Sequence, residues 1–284
     1  MEPKNPQTES RKIHQLQKYA KDLAEVYQSK KEKAKELHST KQQLFQYADD
    51  LNQTILELKT ANQELQESYL DTIHRLALAA EYKDEDTGDH IVRMSRYCAF
   101  IANKRGLTPT EVQHILYASP MHDIGKIGVP DNILVKPGKL TDEEFETMKT
   151  HTTIGAKILA HSKSEILKVA EQIALYHHEK WNGTGYPHGL SGDTIPLTAR
   201  IVALADTFDA LTSKRPYKDP YPFEVAYNII KKERSQHFDP AIVDVFLDNI
   251  DEILKIKQKT HSKGSLSLAN VTTSDRDQSE GKNE

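Results

Sequence analysis

The sequence predicts an all-α protein in which a long N-terminal coiled-coil helix leads into a helical bundle. Three observations carry that prediction. A heptad runs in unbroken register from Ile13, apolar stretches of helical period follow from about residue 71 to 258, and no convincing alternating strand pattern occurs between them.

The heptad comes first. One seam position takes Leu16, Leu23, Lys30, Leu37, Leu44, Leu51, Leu58 and Leu65. The other takes Ile13, Ala20, Tyr27, Ala34, Lys41, Ala48, Ile55, Asn62 and Tyr69. No proline or glycine interrupts it, and the remaining positions are mostly Lys, Glu, Gln and Asp. This is the pattern of a parallel dimeric coiled coil, with Asn62 as a register-fixing polar residue. Lys30, Ala34 and Lys41 weaken the centre of the seam. The seam continues toward Leu76 and the apolar stretch 75–82, so the rod enters the globular part without a linker.

Helical segments then follow at 90–106, 108–128, 141–160, 165–178, 198–213 and 223–233. Thr141 followed by Glu144 fits a capping box, and Gly106 and Gly128 fit helix stops. The expected organisation is a disordered start at 1–10, a coiled-coil helix at 11–69, a catalytic domain at 70–258 and a disordered tail at 259–284.

Composition narrows the function. A formal net charge of -4 gives no reason to expect nucleic-acid binding. The single cysteine, Cys98, cannot form an intramolecular disulfide; its apolar setting predicts burial, and it suits a reducing cytoplasm. No apolar run approaches the ~18 residues of a membrane span, and the first residues lack a signal-peptide core. A soluble, cytoplasmic protein is expected.

The chemistry lies in histidines and carboxylates drawn from separate segments, as a divalent metal site requires. His122 and Asp123 stand between apolar sequence and a glycine. Asp206 is surrounded by apolar residues, and a buried carboxylate is costly unless paired or metal-bound. His177 and His178 end another apolar helix; side chains one residue apart diverge by about 100° on a helix, so they serve different directions or two ions. His151 follows an amphipathic helix start. Asp86 and His90 stand at i,i+4 and share a face if that turn is helical. One ion takes roughly four to six ligands, so these eight candidates point to two or three ions.

These residues, in this order, resemble the HD-GYP family of cyclic di-GMP phosphodiesterases, a branch of the HD phosphohydrolase superfamily. The likeness covers roughly Leu70 to Pro240. It rests on His122–Lys126 (HDIGK), on His151, and on His177–Pro187, which holds HHE and NGTGYP. It rests further on Leu204–Lys218 (LADTFDALTSKRPYK) and on the FDP at Phe238–Pro240. The resemblance implies an HD-domain helical bundle holding two or three divalent ions, iron or manganese. It also implies hydrolysis of cyclic di-GMP to pGpG and, in some members, GMP, in bacterial second-messenger signalling.

Carried over by position, His90, His122, Asp123, His151, His177, His178 and Asp206 match the family's metal ligands. Asp86 matches a carboxylate, commonly glutamate, of trinuclear members. Lys126 matches a lysine that approaches the phosphate. Arg215 and Lys218 match a basic pair that holds the substrate's phosphates and guanine. Tyr186 and Pro187 match the element that shapes the substrate pocket. The expected partners are cyclic di-GMP, a second copy through the coiled coil, and an upstream sensor or a diguanylate cyclase-type protein. The alternative is a catalytically weak receptor or adaptor that binds nucleotide or protein; degenerate members lose HD or GYP residues, and none is missing here.

Overall fold

The structure, a computed structural model, describes residues 6–83, 89–214 and 219–262. The chain divides into two compact units, Met1–Gln66 and Glu67–Glu284. Among the described residues only two isolated β-bridges interrupt an all-helical chain.

Helix α1 spans Pro6–Glu81. It starts at Pro6, so residues 6–10 are helical where the composition suggested disorder; proline's fixed φ suits a first turn, where no N–H is needed. In the first unit the heptad leucines lie open: Leu23 and Leu37 are each 71 % exposed in the single chain. A stripe of this length is uncovered because nothing else in that unit can cover it.

The second unit begins within the same helix, where Ile73, Ala77 and Ala80 turn into the core. Around them stand α2 (Asp89–Lys104), α3 (Pro109–Ala118), α4 (Asp131–Leu134), α5 (Asp142–Leu159) and α6 (Glu165–Tyr176). Helices α7 (Leu197–Thr212), α8 (Phe223–Lys232), α9 (Pro240–Asp248) and α10 (Ile250–Ser262) complete it. The α10 helix runs past Gln258 into the segment expected to be tail.

Helix α2 is central and packs on α3, α7, α9 and α10, while α6 packs on α3, α5 and α7. Tyr97 and Phe246 both meet the Phe208 ring edge-on, at 5.6 and 4.9 Å between centroids. Cys98 is fully buried among them, as its apolar run predicts.

The local signals differ in outcome. Thr108 and Thr141 each close a capping box, with Glu111 and Glu144. Gly106, at φ +81°, ends α2, with Leu107 N–H donating to the Ala102 carbonyl at 3.1 Å as in a Schellman turn. Gly128 does not stop an α-helix. It closes a 3₁₀ turn, Ile124–Gly128, and a Cβ there would press on the Ile154 side chain.

Candidate metal centre

Five segments of the second unit converge on one place. His90 comes from α2, His122 and Asp123 from the junction of two 3₁₀ turns after α3, His151 from α5, and His177 and His178 from the end of α6. Asp206 comes from α7. Asp123 itself sits at φ -104°, ψ 12°, the sparsely populated bridge region that active-site residues often occupy. The turn that follows can come so close to α5 only because residue 125 is glycine: a Cβ there would collide with the His151 carbonyl and the Gly155 nitrogen.

The donors form two groups, Asp123 with His151, His177 and His178, and His90 with His122 and Asp206; within each, the donor atoms lie within 4.8 Å of one another. Asp123 joins them. Its Oδ1 faces His151 Nε2 at 3.3 Å and His177 Nε2 at 3.5 Å, and its Oδ2 faces His122 Nε2 at 3.2 Å. In the second group Asp206 Oδ1 is 3.4 Å from His90 Nε2 and 4.0 Å from His122 Nε2.

This donor set fits divalent cations. His122 Nδ1 donates to the Ser119 carbonyl at 3.0 Å, His151 Nδ1 to Met148 at 2.7 Å, and His177 Nδ1 to Ile173 at 3.0 Å. A carbonyl can only accept, so Nδ1 carries a proton in each ring and Nε2 is the atom that faces inward. The Nε2 atoms of all three, and Asp123 Oδ1, are buried without a hydrogen-bond partner among the described residues. For His151, neutral at pH 7, the Nε2 lone pair facing the Asp123 carboxylate oxygen at 3.3 Å repels it unless a cation lies between them.

Electrostatics separate the groups. Burial, reinforced by the neighbouring His177, pulls His178 well below the usual imidazole range. Burial likewise lowers His151 to about 4, so both are neutral at pH 7. For His90, burial opposes protonation but is outweighed by the Asp209 carboxylate, and the ring is pushed up to about 9. Asp123 stays ionised: its burial is outweighed by Lys126 and His122, which hold it well below the usual carboxylate range.

Composition and spacing missed the residues that hold this set. Asp209, one turn beyond Asp206, receives two bonds from Arg93, at 2.7 and 2.8 Å, and one from His90 Nδ1 at 2.8 Å. The signal was available, because Asp209 is also a carboxylate in an apolar helix. Lys83 spends its ammonium on the carbonyls of Lys126, Ile127 and Val129, at 3.1, 2.9 and 2.7 Å. It thereby fixes the turn from which Lys126 Nζ reaches Asp123 Oδ2 at 2.8 Å. Glu179 accepts the His188 N–H at 2.8 Å and ties the glycine-rich loop to the end of α6.

The loop folds back on the histidines. Gly185 is pressed on the backbone of His178, Glu179 and Lys180, where any Cβ would collide. Tyr186 N–H donates to the His178 carbonyl at 3.2 Å, and its ring stacks on His178 with centroids 4.7 Å apart; a cis bond joins it to Pro187. α6 ends at Tyr176 with His177 as its C-cap, so both histidines lie beyond the helix and the 100° divergence does not apply; both rings join one group, 4.1 Å apart. The FDP stretch is a support: Asp239 caps α9 and accepts from Arg200 at 2.6 Å. Asp86, Arg215 and Lys218 lie outside the described residues.

Comparison with known proteins gives this arrangement a family. A family profile described as "HD domain" matches residues 75–242. The chain is 44% identical over 204 residues to a cyclic di-GMP phosphodiesterase of Thermotoga maritima, covering 71% of this chain and 55% of that one. It is 44% identical over 209 residues to the cyclic di-GMP phosphodiesterase response regulator RpfG of Xanthomonas campestris, covering 72% and 55%. It is 43% identical over 194 residues to 3′3′-cGAMP-specific phosphodiesterase 2 of Vibrio cholerae, covering 68% and 37%. The chain thus spans about half or less of these relatives' lengths. A crystal structure of a cyclic GMP-AMP specific phosphodiesterase of V. cholerae shares the fold, with a TM-score of 0.50 at 19% identity over 68% of this chain and 53% of that one. With the helical bundle, the paired His-Asp groups and a profile spanning more than half of its length, the chain belongs to the HD domain family.

Proposed function

We propose that the chain is a metal-dependent phosphodiesterase that hydrolyses cyclic di-GMP to pGpG. The observation that carries this reading is the pair of donor groups sharing Asp123, with the Lys126 ammonium beside them. The names of the relatives in T. maritima and X. campestris support the substrate. The ions are iron or manganese, one on each group, with Asp86 as the carboxylate of a third position. When bound, they supply Lewis-acid stabilisation of phosphoryl oxygens and activation of water.

The chain's own residues do the rest. Lys126 adds positive charge where negative charge develops on the phosphoryl group. Tyr186 and Pro187 wall the pocket beside His178, and burial raises the Tyr186 hydroxyl above its ordinary range, so it remains a hydrogen-bond donor at neutral pH. Arg215 and Lys218 hold phosphate and guanine.

Incubation of the Mn²⁺- or anaerobically Fe²⁺-loaded protein with cyclic di-GMP, read by chromatography, is expected to yield pGpG. Mononucleotides should turn over poorly, and 3′3′-cGAMP belongs in the same assay because a 43% identical relative is named for it. Arg215→Ala or Lys218→Ala should weaken substrate use and leave metal content intact. Cyclic di-GMP left whole by metal-loaded protein would contradict the reading.

The open heptad supports a homodimer through residues 13–69 as the second part of the proposal, with an upstream sensor or cyclase-type protein as the source of the signal. The single reduced cysteine is consistent with a cytoplasmic setting. Replacing Leu51 and Leu58 by glutamate should convert a dimer to a monomer in light scattering. A monomeric parent at micromolar concentration would refute the dimer.

A further inference from the structure

We infer that Phe145 and Lys149, one turn apart on α5, receive the half of a cyclic dinucleotide that lies away from the ions. The Phe145 ring is a platform for one purine, and the Lys149 ammonium meets the phosphate that is not being cleaved. The inference rests on the phosphodiesterase reading and extends it to residues outside the donor groups, Lys126 and the glycine-rich loop. A cyclic dinucleotide carries two bases and two phosphates, so the ions engage only part of it.

The first observation is a run of rings leading outward from the donors. The Tyr186 ring stacks on His178, with centroids 4.7 Å apart and planes 27° from parallel, and lies 6.5 Å from the ring of His151. Phe145 meets Tyr186 edge to face at 6.2 Å and 80°. Phe145 is therefore one ring removed from two members of the group around Asp123. Of the six phenylalanines described in the second unit it alone is exposed, at 45 %. Its place in α5 accounts for an apolar residue but not for an open ring. It is the fourth residue after the cap Thr141, where a staple onto Leu140 asks only for apolar bulk. An aromatic face left open beside a tyrosine is a surface on which a base can stack.

The second observation is the cation held over the same rings. Lys149 Nζ lies 4.9 Å from the centroid of Phe145 and 5.6 Å from that of Tyr186. A surface lysine ordinarily carries its ammonium out into water. Here the head is turned over two aromatic rings, whose quadrupoles favour a cation, and the side chain is only 26 % exposed. Its anionic partner is Glu146, with Oε1 at 2.6 Å and a side chain 71 % exposed. A pair with so open a partner is weak, and a phosphate oxygen can take the place of the carboxylate. Ring and ammonium thus offer a base and a phosphate their usual partners, next to the residue that packs on the metal donors.

Steady-state kinetics of the Mn²⁺-loaded full chain on cyclic di-GMP, with metal analysis and thermal melting, test this. Phe145→Leu keeps the apolar bulk and removes the ring. Its KM should rise about 5–100-fold, the range for losing one stacked base, while kcat and metal content stay at the parent's values. Phe145→Trp, which keeps a platform, should keep the parent's KM. Lys149→Met retains the stem and removes the charge, so it should raise KM at low salt and lessen the further rise on adding NaCl. A parent-like KM in Phe145→Leu would overturn the inference. So would a raised KM that comes with lost metal or a lower melting temperature, since that would make the ring a packing element. In either case a parent that cleaves cyclic di-GMP leaves the phosphodiesterase reading standing. A metal-loaded parent that leaves cyclic di-GMP whole would overturn that reading, and this assignment with it.

Discussion

Asp123→Asn is expected to empty both donor groups at once and to abolish turnover. Asp123 is the one side chain whose two oxygens face different groups, Oδ1 toward His151 and His177 and Oδ2 toward His122 and Lys126. The amide keeps the shape and removes the charge that three buried imidazoles and an ammonium are arranged around. Loss of a group behind a ligand costs about 10–100-fold in metal affinity or activity, and loss of the shared ligand should exceed that range. Metal analysis and the chromatographic assay check the two halves separately. A variant that keeps the parent's metal ratio would remove Asp123 from the bridging role.

Arg93→Met is expected to be the most destabilising change outside the donor set. It leaves Asp209 fully buried with one of its two cationic partners gone, and breaking a buried pair in this way costs about 3–5 kcal/mol. Chemical denaturation in chelator should register it, and unchanged stability would show the pair to be dispensable. Asp209, the anchor of His90, is itself loosened at the same time, so Mn²⁺ affinity should fall too.

The same network sets a pH dependence for the metal-free protein. Burial opposes ionisation of Asp209, but its bonds to Arg93 and His90 win and depress its pKa. Its stabilisation is complete above the ordinary 3.8 and is lost as pH falls below that. His90, raised from 6.5 to about 9, contributes fully below 6.5, and that contribution is lost as pH rises through 9. Stability in chelator should therefore peak between these limits.

Much of this was legible in the residues because the signals were local. Leucines every seven positions need no tertiary information, and Thr141 with Glu144 closes its capping box within four residues. Asp206 could be singled out because a carboxylate amid apolar neighbours is costly anywhere. Other features depended on approach between distant segments. The apolar stretch 75–82 reads as a continuation of the seam, and only the fold brings Lys83, just past it, to the segment after Asp123. The geometry of His177 and His178 depended on where α6 stops, a boundary one residue wide. Nothing local marks Lys83, whose three carbonyl partners, at 126, 127 and 129, lie more than forty residues away.

The central claim is that two donor groups, joined by Asp123, hold separate ions. Metal stoichiometry of the reconstituted full chain, measured by elemental analysis after removal of loosely bound ions, tests it most directly. The account predicts at least two iron or manganese ions per chain in the parent and their loss in Asp123→Asn. A single ion per chain under saturating metal would contradict it.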